Sequence, residues 1–180
     1  MHSPRPPIQT TVEDRRFIAD AMLGKLTKWL RVLGVDVAYD PQATDDQLLR
    51  CAAQENRILL TRDRRLLGRR GAHRRWLIES DYYHEQVRQV IQRLGLKPGS
   101  DILSRCIRCN TILQSVERAL VAAGKVPPYV YATQTSFKHC PTCDRLYWAG
   151  THRVNILRQL HAMLDERQPA GTHAPKGRLP

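Results

Sequence analysis

Long apolar runs are missing from this chain. None approaches the ~20 residues of a membrane-spanning helix, and the amino end has no apolar signal core. The expectation is a cytoplasmic protein with no membrane partner. Aromatics are scarce at 6%, so aliphatic side chains must fill most of a core that 42% hydrophobic content suffices to build. Acidic residues are outnumbered, 17 against 29 Lys and Arg, and the resulting charge of +12 favours a polyanionic partner, nucleic acid before anionic membrane. At 180 residues the chain suits one domain, or one domain with a small appendage, and it has no internal repeat. Its 5 cysteines are an odd number, and four of them fall in two CxxC pairs. Without a secretion signal, that pattern favours metal over disulfides.

The organising stretch is Arg57 to Leu67, RILLTRDRRLL. Ile58, Leu59 and Leu60 are too short a run for a helix and read as a strand buried on both faces of a parallel sheet. Asp63 leaves its carboxyl end, where open α/β sheets bind ligands; the plainer reading is that it caps the next helical turn. Before it, Arg16–Asp20 reads as a strand closed by an acid. Ala21–Leu33 reads as an amphipathic helix with Met22, Leu23, Leu26, Trp29, Leu30 and Leu33 inward. Lys25, Lys28 and Arg31 fall on its other faces, and Gly34 stops it. Val35–Tyr39 is a second strand, and Asp40-Pro41 turns the chain. Thr44-x-x-Gln47 is a capping-box signature opening a helix with Leu48, Leu49 and Ala52 inside, and Cys51 on it reads as a small buried hydrophobe. Trp76–Ile78 makes a fourth strand and Tyr82–Leu94 a third long helix. This alternation predicts a parallel sheet wrapped by helices.

From Ile102 the rhythm breaks. Cys106-Ile107-Arg108-Cys109 and Cys140-Pro141-Thr142-Cys143 are two tight turns, each able to place two thiolates on one tetrahedral zinc. Four sulfur ligands leave no open position, so this zinc should be structural. A ribbon hairpin and a short helix over Ser115–Ala123 are expected between the knuckles. His139 is a surface group or a substitute ligand, and Arg105, Arg108, Lys138 and Arg145 ring the cysteines. A redox role for the CxxC pairs would instead predict exchangeable disulfides. A last amphipathic helix covers His152–Leu164.

Asp20, Asp45 or its neighbour Asp46, Asp63 and Asp81 all fall at or just beyond the carboxyl ends of predicted strands. Converging carboxylates repel unless a cation sits among them. Mg²⁺ or Mn²⁺ takes such oxygen ligands and can activate water for displacement at phosphorus. Each acid also has a local reading: Asp45 and Asp46 suit a helix start, and Asp81 an N-cap.

RFIADAMLGKLTKWLRVLGVD, DDQLL, RILLTRDRRLL, the paired CxxC and Tyr147-Trp148-Ala149-Gly150-Thr151-His152, in this order, resemble the Mut-seven C-terminal ribonuclease-type domain over about Arg16 to Leu164. The resemblance implies an α/β, PIN-like three-layer α/β/α sandwich with an embedded zinc ribbon, and a metal-dependent ribonuclease. It implies that Asp20 is the first-strand acid, Asp63 the TRD acid and Asp45 (or Asp46) the acid before the LL helix, with Asp81 in support. The expected layout is a disordered tail over 1–14, the nuclease domain over 15–101, the ribbon over 102–150, a packed helix over 151–166 and a second tail over 167–180. The catalytic set is Asp20, Asp45, Asp63 and Asp81. The first three hold Mg²⁺ or Mn²⁺, and Cys106, Cys109, Cys140 and Cys143 hold zinc. Lys25, Arg62, Arg64 and Arg108 are candidates for RNA phosphates. The competing reading is a non-catalytic zinc-ribbon RNA-binding module.

Overall fold

Four strands of three or four residues form the frame of the computed structural model, which describes residues 16–71, 74–96, 101–121, 124–148 and 150–164. They are β1 (Arg16–Ala19), β2 (Asp36–Tyr39), β3 (Ile58–Thr61) and β4 (Arg75–Leu77), all parallel, in the order β2-β1-β3-β4. β3 is buried at every residue, as its unbroken apolar run requires of an inner parallel strand. Side chains alternate between two cores. Phe17, Ala19, Val37, Ile58 and Leu60 meet α1 (Gly24–Val32), α4 (Tyr83–Leu94) and α6 (Thr151–Leu164). Ile18 and Leu59 face the other way, onto Leu48, Leu49 and Ala52 of α2 (Asp45–Gln54) and Leu66 of α3 (Arg64–Gly68). The result is the expected α/β/α sandwich. The 151–166 helix is described as far as Leu164, and both expected tails lie outside the described residues.

Local chemistry sets the boundaries. The capping box at Thr44 forms in both directions, Thr44 N–H donating to Gln47 Oε1 at 2.8 Å and Gln47 N–H to Thr44 Oγ1 at 3.4 Å. Gly95 ends α4 with φ +60°, and Gly34 turns the chain after α1 with φ +82°. A Cβ at Gly34 would stand 2.6 Å from the Asp101 carbonyl, so glycine is required there twice over. A 3₁₀ turn, Ala21–Leu23, separates β1 from α1. Among the described residues no helix is long and apolar enough to cross a membrane.

The second sheet is antiparallel: β5 (Gln114–Glu117), β6 (Ser136–His139) and β7 (Leu146–Trp148). The helix expected over Ser115–Ala123 is therefore corrected. Residues 114–117 pair with β6, Val116 opposite Phe137, and among the described residues of that stretch only Arg118–Leu120 make a 3₁₀ turn. One β-branched residue packed against a neighbouring strand outweighed a weak helical pattern. The helix in this region is instead α5 (Pro128–Thr133), opened by Pro128.

Arg31 joins α1 to the first cysteine turn. It is buried at 4% exposure, and its Nε and Nη2 donate to the Val37 carbonyl at 3.0 and 2.8 Å. Its Nη1 donates to the carbonyls of Ile107 and Arg108 at 3.1 and 2.7 Å. Asn110 completes the junction, accepting from Val37 N–H at 3.1 Å and donating to Asp36 Oδ1 at 2.8 Å. Asp36 also takes Arg57 at 2.6 Å and Arg105 at 3.4 Å. Burial would raise the Asp36 carboxyl, but hydrogen bonds from Arg57 and Asn110 and the charges of Arg57 and Arg105 outweigh it and hold the group below its ordinary value.

Replacing Arg31 by Met strands three carbonyls, those of Val37 and Ile107 in buried surroundings and that of Arg108 partly so. Denaturant titration is expected to show a loss of about 3 kcal/mol, and Arg31→Lys should not restore it because an ammonium lacks the planar fork. Because the folded Asp36 carboxyl is depressed, its contribution is present above about pH 4 and is lost as pH falls through the folded value. Asp36→Asn should accordingly flatten the acid limb of stability against pH.

Candidate metal centre and acidic rim

The two knuckles are copies of one turn. Cys106 N–H donates to the Thr111 carbonyl at 2.8 Å and Asn110 N–H to the Cys106 carbonyl at 2.9 Å. Cys140 N–H and the Arg145 carbonyl, and Asp144 N–H and the Cys140 carbonyl, repeat this at 2.9 Å each. Each turn closes with a left-handed residue, Asn110 at φ +70° and Asp144 at φ +55°, both types that tolerate that conformation. Cys106 Sγ lies 3.4 Å from Cys143 Sγ, and Cys109 Sγ 3.3 Å from Cys140 Sγ. All four sulfurs fall within 4.8 Å of one another. A tetrahedron with Zn–S bonds near 2.3 Å has edges of about 3.8 Å, so the quartet is positioned to bind one metal ion in the manner of structural zinc.

Tyr147, the first residue of the YWAGTH motif, is a partner of this cluster that cysteine spacing does not reveal. Its hydroxyl accepts from Ile107 N–H at 3.3 Å and lies 3.1 Å from Cys106 Sγ. Burial works against ionisation of Cys106, but hydrogen bonds from Tyr147 and Cys109 prevail and bring it down to about 6. Burial, then contact with Cys106 and Cys140, pushes Cys143 up to about 12, and burial also raises Cys140. Four clustered thiols resist ionising together without a cation. His139 does not join them, since its Nε2 meets Asp144 Oδ1 at 2.9 Å. Cys51, expected to be buried, is half-buried, and its thiol donates to Glu55 Oε1 at 3.3 Å.

The acids lie along the carboxyl edge of the parallel sheet. Asp20 follows β1, and its N–H extends the ladder to the Leu60 carbonyl at 3.0 Å. Thr61, at 0% exposure, donates its hydroxyl to Asp20 Oδ2 at 2.7 Å and accepts from Asp63 N–H at 2.9 Å. Asp63 caps α3 as the plainer reading held, accepting from Arg65 N–H at 2.7 Å. Among the described residues neither Asp20 nor Asp63 has an ion-pair partner. Asp45 and Asp46 are bridged by Arg69, at 3.1 and 2.5 Å, and Asp81 is paired with Arg62. No three rim carboxylates among the described residues bring their oxygens within 4.8 Å of one another. Asp40, read from the sequence as a turn residue, also follows a strand. It stands one residue past the Ala19–Tyr39 pair, beside Asp20. Of the phosphate candidates, Lys25 lies 5.5 Å from the centre of the Tyr83 ring, Arg62 serves Asp81, and Arg64 and Arg108 are exposed.

The sequence model of the Mut7-C RNAse domain matches residues 15–160, spanning both the acidic rim and the cysteine quartet. The chain belongs to the Mut7-C RNAse domain family. No curated protein and no solved structure matches it. Membership indicates a ribonuclease-type role and, with it, RNA as substrate class. In this Mut7-C chain the knuckles and the rim are joined through α1, which begins beside Asp20 and ends near Arg31.

Elemental analysis is expected to find one zinc per chain, lost in Cys109→Ser. With at least two of the thiols protonated near neutrality before metal binds, zinc affinity should fall by about a hundredfold for each pH unit of acidification there, read by chelator competition.

Proposed function

We propose that this protein is a cytoplasmic, metal-dependent ribonuclease whose hydrolytic site is the carboxyl edge of the parallel sheet. The observation that supports it is the pair Asp20 and Asp63, both fixed by one buried hydroxyl, Thr61, and both without a counter-charge among the described residues. A half-buried carboxylate has a strong electrostatic reason to collect a cation, and the donors on offer are hard oxygens, which suit Mg²⁺ or Mn²⁺. Asp20 and Asp63 would hold it. Asp45 is the third ligand in this reading, once Arg69 gives it up, and Asp81 supports from the β4–α4 link. When bound, such an ion supplies an activated water and charge neutralisation at phosphorus.

The remaining roles fall to the chain's own groups. Thr61 orients the Asp20 carboxylate by donating to Oδ2, leaving the other oxygen available. Arg62 and Arg69 keep the outer acids neutralised, and each can turn to an RNA phosphate when its carboxylate is otherwise engaged. The surplus of basic residues draws RNA in. The zinc ribbon is a structural element of the same unit and aids RNA binding.

A second reading, a zinc-ribbon module that binds RNA without cutting it, draws on the Arg69 and Arg62 pairs, which satisfy three of the rim acids without any metal. Cleavage separates the two. Wild-type protein with Mg²⁺ or Mn²⁺ should cut RNA, and Asp20→Asn or Asp63→Asn should slow cutting by on the order of a hundredfold or more while RNA binding persists. Binding without any cutting by the wild type would establish the module instead. Thr61→Val keeps the strand but removes the orienting hydroxyl. It should raise the metal concentration needed for half-maximal cleavage by about 10–100-fold.

A further inference from the structure

A cleft of about 620 Å³ runs between α1 and the zinc ribbon, with Lys25 and Lys28 on one side and Arg108 and Arg145 on the other. No acidic residue lines it. Among the described residues Lys28, Arg108 and Arg145 have no carboxylate in ion-pairing range. Arg31 lies at its base with its hydrogen bonds spent on carbonyls, so its charge adds positive potential but no further contact. Thr27 also lines the cleft, is 1% exposed, and has a buried hydroxyl with no hydrogen-bond partner. Unmatched cations from two separate structural units, plus an unsatisfied hydroxyl, describe a place that lacks an anion.

Two tyrosines complete the lining. Tyr39 donates its hydroxyl to the Ala21 carbonyl at 2.7 Å, and the Tyr147 hydroxyl is held at Cys106 and Ile107. With both hydroxyls tied down, ring surface is what these residues offer a ligand. Tyr39 also gives the cleft its direction. Ala21 adjoins Asp20, so the tyrosine stands between the basic lining and the acidic rim. Gly24 makes room for it, since a Cβ there would come within 2.7 Å of the phenol oxygen.

We propose that this cleft holds a short run of single-stranded RNA, its phosphates on Lys28, Arg108 and Arg145, and leads the strand past Tyr39 toward Asp20. Phosphate contacts from Lys and Arg with ring surfaces for bases are the usual equipment of single-strand grooves. The volume lies in the range that encloses one small ligand, enough for a nucleotide or two. A duplex could not enter and could present only its outer phosphates. The proposal rests on the ribonuclease reading for the direction of the strand, but not for the binding itself.

The test uses the zinc-loaded full chain carrying Asp20→Asn, so that RNA is bound and not consumed, with fluorescence anisotropy on a short single strand and on the matching duplex. Lys28→Glu with Arg145→Glu is expected to weaken single-strand binding by about 10–100-fold and to make the salt dependence shallower by about 1.4 in log–log slope. The milder Lys28→Gln with Arg145→Gln should lose about 3–10-fold, and zinc content and circular dichroism report that both variants fold. Arg50→Glu with Arg158→Glu carries the same charge change on exposed residues outside the cleft and should cost less than about threefold. The proposal is overturned if the cleft variants lose no more than this control pair, or if duplex binds as tightly as single strand. Failure of the cleft with RNA cleavage intact leaves the nuclease reading standing. Loss of affinity in the cleft variants of a protein that never cuts removes the nuclease and keeps the groove.

Discussion

A single buried guanidinium fixes the relation between the two halves of this molecule. Arg31 leaves α1, which starts at the acidic rim, and places its five N–H groups among the carbonyls of an edge strand and of the first cysteine turn. Burial of an unneutralised arginine is costly, and its charged form is disfavoured mainly by desolvation. The cost is offset by four hydrogen bonds and by the electronegative neighbourhood of Cys106 and Cys109. The knuckle therefore has one seat on the sheet, and Arg108 within it and Arg145 beside the second cysteine turn line one cleft with Lys25 and Lys28 of the helix.

Charge is sorted along that helix. Carboxylates collect at the strand ends, and the cations without carboxylates of their own collect one turn further, facing the ribbon. The arginines nearest the rim are of a different kind, because Arg62 and Arg69 already close on Asp81, Asp45 and Asp46. The rim thus divides into an inner pair, Asp20 and Asp63, governed by Thr61, and an outer set balanced by arginine. The outer acids carry their counter-charge with them, and the inner pair has none among the described residues.

The unbroken burial of Ile58 to Thr61, the capping box at Thr44 and the spacing within each cysteine pair were legible in the sequence because each depends on neighbours a few residues away. What could not be read depends on partners far along the chain. The spacing sets Arg31 off the apolar face of its helix but not where it ends, since two of its receptors lie 76 and 77 residues later. Tyr147 meets Cys106 across 41 residues, and Thr61 meets Asp20 across the same interval. The T of the TRD motif was in plain view, but nothing local distinguishes a threonine that finishes a strand from one that orients an acid. Asp45 and Asp81 satisfied the rule that acids end strands, and the same rule applied to Asp40 without being used. The strand at Gln114–Glu117 was missed because its partner, β6, begins 19 residues later.

The Asn110 contact has a consequence for self-association. β2 is the outermost strand of its sheet, and the Val37 N–H and carbonyl that point away from β1 are the groups another polypeptide would need in order to dock there as an extra strand. Asn110 and Arg31 occupy both. Because Asn110 directly follows Cys109, the turn that would grip the metal also covers the sheet margin, so one loop is both a fastening and a barrier to strand addition.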